Sequence, residues 1–337
     1  MSGERLFEDQ TPSLCFEERV NLLLEPKRPG SPLVLDLFAG CGGLALGFES
    51  AGFETLGFET NPDCVATYRS NLSGDCLEVN LTRDFDFPAK ADVIIGGPPC
   101  QPFSVRGSQK GNQDARNGFP AFLAAVEQIA PDLVIAENVR GMLYRNREYL
   151  DEVVQKLRDF GYSVEVELLN AKNFGVPQNR ERVIIVGHRL GWDWPDPSDF
   201  PLVTAGEALG DMAFEIPPDS KFLTSSMDRY IAEYERKSGC ARPRDLHLDR
   251  PARTLTCRNL AGATSDMHRL LLPDGRRRRI TTKEAARLQT FPDWFQFCGT
   301  ELSVFNQIGN AVPPLFSLAL AEQAKLSLGL QGVTSTV

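Results

Sequence analysis

A chain of 337 residues is long enough to bury a large core and to divide into two lobes. With 42% hydrophobic and 24% charged residues the composition is that of an ordinary globular protein, and no apolar run reaches the ~18 residues of a membrane span. The net charge of −9 is unevenly spread: residues 240–290 hold twelve Arg and Lys against five Asp and Glu, so the rest of the chain carries −16. A basic sector on an acidic body is the usual footprint of phosphate binding, although a solvated charged face has the same composition. The amino terminus, Met-Ser-Gly-Glu, has no signal-peptide pattern. Eight cysteines stand at 15, 41, 64, 76, 100, 240, 257 and 298, with no Cys-x-x-Cys pair and only three histidines. That argues for no metal site and for free thiols in a reducing cytoplasm.

Residues 1–32 form an extension without a motif; Glu17 to Glu25 fits a short helix and Pro26 to Pro32 a linker. From residue 33 strands and helices alternate. Leu33–Phe38 reads as a strand, Gly42–Ala51 as a helix entered through glycines, and Glu54–Phe58 as a strand ending at Glu59. Asn61 and Pro62 are an N-cap and first-turn pair for a helix to Asn71. A weak strand at Cys76–Asn80 and an apolar one at Ala91–Ile95 follow, then a helix over Phe119–Ala130, a strand at Asp132–Ala136 ending at Glu137, and an amphipathic helix over Arg147–Phe160. Ser163–Leu169 and Arg182–Val186 complete the strands. The alternation predicts an α/β fold, a doubly wound, mostly parallel sheet, over residues 33–187. Residues 188–300 read as a smaller irregular lobe, with a capping box at Thr281 and Glu284, and 301–337 as an apolar segment returning to the first lobe.

Four constellations carry chemistry. Residues 96–104 read Gly-Gly-Pro-Pro-Cys-Gln-Pro-Phe-Ser, placing Cys100 behind two prolines at the carboxyl end of a buried strand, where open α/β sheets bind ligands. A held, presented thiol is one reading and a buried structural cysteine the other. Asp36-Leu37-Phe38-Ala39-Gly40-Cys41-Gly42-Gly43 turns a strand through glycines into a helix, and Glu59 follows at the distance of a ribose-binding acid. The pair suits an adenosine-containing cofactor, NAD included, since Gly40-x-Gly42-x-x-Ala45 meets the loose dinucleotide pattern. Glu137-Asn138-Val139 sets a carboxyl group on the same sheet edge as Cys100, as a general acid or merely a cap. Gln178-Asn179-Arg180-Glu181-Arg182 places two arginines at alternate strand positions, hence on one face, suited to a phosphate or a base carbonyl.

Together these motifs resemble the DNA cytosine-5 methyltransferase family, in order and spacing from about residue 33 to 320 except between 188 and 249. The glycine turn is similar to its cofactor loop, Pro98-Pro99-Cys100-Gln101 to its nucleophile motif, Glu137-Asn138-Val139 to its Glu-Asn-Val, and Gln178-x-Arg180-x-Arg182 and Gln307-x-Gly309-Asn310 to two further blocks. The resemblance implies S-adenosyl-L-methionine as methyl donor, double-stranded DNA as partner and a flipped-out cytosine as acceptor, with the setting open between a restriction-modification system and its separate endonuclease, a solitary enzyme and a phage one. It implies Cys100 as nucleophile on carbon 6, Glu137 on ring nitrogen 3, Arg182 on the base carbonyl and Arg180 on a backbone phosphate. It implies Phe38, Ala39, Gly40, Cys41, Gly43, Glu59, Thr60, Asn80, Leu81, Pro99, Asn310 and Val312 around the cofactor, and Gln101, Ser104, Arg106, Arg116, Arg253 and Arg258 against DNA, with the Arg276–Arg279 run on phosphates. Two positions depart from the pattern: Thr60 stands where an aromatic often follows the ribose-binding acid, and Asn80 where an Asp is usual. A transfer-RNA cytosine methyltransferase of the same fold is the nearest rival; its Cys-Phe-Thr tripeptide is absent, with only Phe222-Leu223-Thr224 in its place. A silent DNA-binding paralogue would not need Cys100, Glu137 and Arg182 intact, and an NAD oxidoreductase would not need Pro98-Pro99-Cys100-Gln101. The chain is expected to act as a cytoplasmic monomer without a membrane partner.

Overall fold

The computed structural model describes residues 14–27, 30–88, 90–99, 117–237, 239, 244–261 and 266–330. The centre is a seven-stranded sheet of β1 (Gly30–Leu37), β2 (Phe53–Glu59), β3 (Asp75–Glu78), β4 (Val93–Gly96), β5 (Leu133–Val139), β6 (Ser163–Asn170) and β8 (Glu181–His188); β7 (Gln178–Asn179) lies outside it. The order is β3-β2-β1-β4-β5-β8-β6. All strands run parallel except β8, which is antiparallel to both neighbours. Val34, Leu35, Leu37, Val93, Ile94 and Ile95 are fully buried, as expected of parallel strands covered on both faces.

Leu37 pairs with Gly96, and Gly96 with Ala136, so the carboxyl ends of β1, β4 and β5 lie side by side. Because β8 is reversed, its amino end arrives at that same edge, with Val139 opposite Arg182. One edge thus collects the glycine turn, the Gly-Gly-Pro-Pro turn, Glu137 and Arg182.

One face of the sheet is covered by α4 (Phe119–Ile129) and α5 (Arg147–Asp159), whose Phe122, Val126, Leu150 and Val153 pack on Leu35, Ile94 and Val134. The other face is covered by α1 (Phe16–Leu23), α2 (Gly43–Ala51) and α11 (Pro314–Ser327). A Cβ on Gly47 would collide with Ser317 and the Leu318 amide, so the α2–α11 crossing depends on a missing side chain. At α3 (Pro62–Asn71) the Asn61 side chain accepts from the amides of Asp63 and Cys64, the cap its sequence predicts.

The remaining elements are α6 (Ala205–Leu209), α7 (Ser225–Lys237), β9 (Ala252–Arg253), α8 (Cys257–Ala261), β10 (Arg269–Leu271), β11 (Arg277–Arg279), α9 (Thr282–Leu288) and α10 (Glu301–Asn310). Packing crosses the expected lobe boundaries. Phe16, Val20 and Leu24 of the N-terminal segment lie in the same apolar cluster as Phe48, Leu209, Leu255 and Leu288. The return to the first lobe begins before residue 301, since Phe291 and Phe295 pack on Ala39, Ala45 and Tyr68. No helix among the described residues is long and apolar enough to cross a membrane.

Candidate active site

The turn after β1 enters the left-handed region at Phe38 (φ 59°), Gly40 (φ 56°) and Gly42 (φ 88°), and α2 starts at Gly43. Gly42 is thus the helix cap. A Cβ on Gly43 would lie 2.5 Å from the Val312 carbonyl, so the turn leading into α11 closes directly on the start of α2. Space above Gly40 is open, with nothing within 4 Å of a built Cβ. The Glu59 carboxylate sits beside it. Oε2 accepts from the Gly40 amide (2.9 Å), and Oε1 from the amides of Thr60 and Asn61 (both 2.8 Å). Beneath the turn Asp36 is buried, one carboxylate oxygen has no partner, and burial, with Glu59 nearby, raises its carboxyl well above the usual range.

The other predicted cofactor residues divide. Ala39, Cys41, Leu81 and Val312 are buried. Thr60 and Asn80 are exposed. Asn310 ends α10, where its Oδ1 accepts from the Cys257 thiol (3.0 Å). Pro99 accepts from the Gly118 amide (2.9 Å), and a Cβ on Gly118 would press on both Pro99 and the Phe38 ring. The described residues on either side of 100–116 therefore meet beside the glycine turn. Cys100, Gln101, Ser104, Arg106 and Arg116 themselves lie outside the described residues.

At the end of β5, Glu137 lies with its Oε1 2.6 Å from Nε of Arg182, each side chain 12% exposed. The contact is an ion pair without hydrogen-bond alignment, for Glu137 Oε1 accepts no well-directed bond. Asn138 is buried and donates from Nδ2 to the Pro98 carbonyl (2.9 Å), tying the Pro-Pro turn to β5. This is a physical reason for Asn in Glu137-Asn138-Val139. Next to the pair is a cleft of about 260 Å³ lined by Val139, Arg140, Asn179, Glu181, Arg182 and Thr254. Arg140 and Glu181 pair across its rim at 2.5 Å. A larger, open cleft of about 570 Å³ between α1 and Trp294 has two glutamates but no nucleophile or cation on its wall.

Arg180 departs from its predicted role. It lies between β7 and β8, not in one strand with Arg182, and is 1% exposed. Its guanidinium donates to the carbonyls of Leu255 (2.8 Å), Gly309 (3.3 Å) and Ala311 (2.9 Å). A phosphate cannot reach it in this arrangement. The Arg276–Arg279 run is likewise largely committed inward. Arg278 is fully buried and holds Glu284 with two bonds of 2.6 and 2.9 Å; Arg277 pairs with Asp245 and Asp228; Arg279 donates to the Leu260 carbonyl. Only Arg276 stays outside, paired with Asp274 over the Phe222 ring. Arg253 and Arg258 remain partly exposed and lean on Asp266 at 3.7 and 3.4 Å.

Sequence reasoning missed Thr254, which has no charge or distinctive spacing, and gave no role of their own to Asn138 and Asn179, although both stand inside the motifs. Burial pushes the thiols of Cys41 and Cys257 up, and that of Cys64 to about 12, so none of these three is a thiolate at neutral pH. Among the described residues no cluster of His, Cys, Asp and Glu could hold a metal.

The model of the C-5 cytosine-specific DNA methylase family matches residues 33–238 and 225–326. The chain is 56% identical over 297 residues to the Type II methyltransferase M.AplI of Arthrospira platensis, covering 88% of this chain and 86% of that protein. It is 34% identical to the Type II methyltransferase M.NgoFVII of Neisseria gonorrhoeae, covering 86% of each. Among solved structures, a putative DNA modification methyltransferase encoded within an E. coli prophage superposes with a TM-score of 0.67 at 23% identity, over 89% of this chain and 100% of that one. The strand order, the edge that carries Glu137 and Arg182, and these matches agree: the chain is a DNA cytosine-5 methyltransferase, a member of the C-5 cytosine-specific DNA methylase family.

Proposed function

We propose that the protein moves a methyl group from S-adenosyl-L-methionine to carbon 5 of a cytosine swung out of duplex DNA, through a covalent Cys100 adduct. The observation that carries this reading is the Glu137–Arg182 pair beside the Pro98–Pro99 turn, one strand away from an open glycine turn. The residues around that turn fit the cofactor. Space is open over Gly40, Glu59 offers a carboxylate for ribose hydroxyls, and the Val312 turn walls the far side. When bound, the cofactor supplies an electrophilic methyl group.

The chain's own residues do the rest. Carbon 5 of cytosine is a weak nucleophile. Addition of the Cys100 thiolate to carbon 6 moves the ring's electron pair toward carbon 5. Glu137, in its protonated form, donates a hydrogen bond or its proton to ring nitrogen 3, which neutralises the negative charge that addition puts there, and Arg182 contacts the base carbonyl while orienting Glu137. After transfer a base removes the carbon-5 proton, the electron pair returns to form the 5,6 double bond, and Cys100 leaves. Flipping costs a few kcal/mol of unpairing and unstacking. Residues 33–187 act as the catalytic part, 188 to about 290 as the recognition part, with Arg253, Arg258 and Arg276 at hand for phosphates, and the chain from Phe291 on as the returning segment. Relatives named Type II methyltransferases support a modification role beside an endonuclease.

Bisulfite sequencing of DNA from a host expressing the protein tests activity and site together. One sequence context should be protected from conversion in the wild type, and none with Cys100→Ala. Protection that persists in Cys100→Ala overturns the covalent route; absence of any protected context in DNA, with protection in transfer RNA, overturns the substrate.

A further inference from the structure

We infer that Arg180 is a positioning residue: a buried latch that holds the cofactor turn and the DNA-facing segment in one fixed register, rather than a phosphate contact. The geometry is specific. The guanidinium binds three backbone carbonyls from two segments distant in sequence, and among the described residues no carboxylate is bonded to it. Gly309 and Ala311 are at the carboxyl end of α10, whose unpaired carbonyls and negative dipole end attract a cation. Arg180 therefore caps α10 from 130 residues away. Leu255 belongs to the other segment, directly after Thr254, which lines the cleft beside Arg182.

A second set of bonds repeats the connection. Gln178, fully buried, accepts from the Leu255 amide (2.8 Å) and donates to Gln289 (2.5 Å), and Gln289 donates to the Ala311 carbonyl (2.5 Å). Cys257 reaches across to Asn310 (3.0 Å). The turn at 310–312 then rests on Gly43, the first residue of α2. One buried network thus runs from the start of β8, which carries Arg182, to the reading segment on one side and to the glycine turn on the other. Backbone carbonyls carry no sequence information, so they set position only. A displacement of about 1 Å between a methyl donor and its acceptor costs on the order of 10²-fold in rate, which is what such a network prevents.

This inference rests on the reading that the 310–312 turn borders the cofactor. Its test is binding, not turnover, on the full-length chain. Arg180→Met is titrated with S-adenosyl-L-homocysteine, and with a duplex carrying the site defined by bisulfite sequencing, at several salt concentrations below the melting range. The latch requires that affinity for S-adenosyl-L-homocysteine falls about tenfold while the salt slope of DNA binding is unchanged. Arg180→Lys, whose ammonium can still reach part of the carbonyl set, should recover part of the loss. If Arg180→Met does not fold, Gln289→Leu, which breaks the same link to Ala311 without touching Arg180, should show the same loss. A salt slope reduced by about 0.9, the signature of one phosphate contact, overturns the latch. So does an unchanged S-adenosyl-L-homocysteine affinity, which would leave Arg180 a purely structural residue. A wild-type chain that does not bind S-adenosyl-L-homocysteine removes the cofactor reading, and the latch falls with it.

Discussion

Glu137 and Arg182 meet because two strands of opposite direction end at one edge, and each holds the other's charge in a site only 12% exposed. Glu137→Gln keeps the shape but can neither pair with Arg182 as a carboxylate nor pass a proton. Turnover should fall by roughly 10²–10⁴-fold, the usual share of a positioned acid. The affinity for S-adenosyl-L-homocysteine should stay within a few-fold, because Glu137 is not part of the glycine turn. Single-turnover methyl incorporation measures the first and calorimetric titration the second; a turnover within tenfold of wild type would remove Glu137 from the chemistry. Its place on the Cys100 edge was legible in sequence, but its role was not: a carboxyl group at a strand end is as readily a cap as an acid, and only the family resemblance implies the acid. For Arg180 even the place was not legible. The pattern Gln178-x-Arg180-x-Arg182 shows two equivalent arginines, and nothing local reveals that the strand breaks between them and turns one inward onto carbonyls more than seventy residues away. The same holds for Arg276–Arg279. A run of four cations reads as a phosphate surface until Glu284, Asp245 and Asp228 are seen to claim the middle of it.

Elements were legible where burial sets the sequence pattern. The sheet strands are apolar runs bounded by turns, and helices α3 and α9 announce themselves by Asn61-Pro62 and by Thr281 with Glu284. α7 is different. Of its thirteen residues only Ile231 is buried, and Asp228 and Glu235 hold it to Arg277 and Arg269 by ion pairs. Yet Met227, Tyr230, Ile231 and Tyr234 fall at i, i+3, i+4 and i+7, so the sequence does carry a helical period here, although most of that face stays exposed. The direction of β8 was hidden, because side-chain alternation is the same for either direction. At this scale the α2–α11 crossing is one contact that a single substitution can open. The Ser317 hydroxyl bonds the Leu44 carbonyl, and the backbones approach so closely at Gly47 that even a methyl group has no room. Gly47→Ala gains helix propensity, worth up to about 1 kcal/mol. The overpacking cost is about 1–3 kcal/mol and sits against backbone, which cannot rotate away. The expected net result is destabilisation, read as a lower urea midpoint with an unchanged slope. A midpoint equal to or above wild type would mean that the helices separate at little cost.

The whole molecule joins an acidic body and a basic sector through one shared apolar cluster. The composition and the change of pattern near residue 188 suggest two lobes, and in charge there are two, an acidic body and a basic sector. The apolar cluster ignores that division. Phe16 and Val20 of α1, Phe48 of α2, Leu209 of α6, Leu255, Leu288 of α9 and Phe316 of α11 belong to one contiguous set. Arg287 extends the join with ion pairs to Glu17 and Asp293. Cutting such a cluster at residue 188 would expose apolar surface on both pieces, at about 25 cal/mol per Å². Neither piece can then unfold without uncovering the other, so the chain should unfold as one cooperative unit despite its length. The tryptophans make this measurable. Trp192, Trp194 and Trp294 all lie outside 33–187, whereas far-UV circular dichroism is weighted by the helices and strands of the whole chain. The two signals should give superimposable urea transitions, with a single midpoint. Removal of residues 1–25 should shift that midpoint down in both signals together, since Phe16, Val20 and Leu24 cover the shared cluster rather than one end of it. A fluorescence transition that precedes the dichroism transition would show instead that the recognition part melts alone, and that α1 and α9 belong to only one of two separable cores.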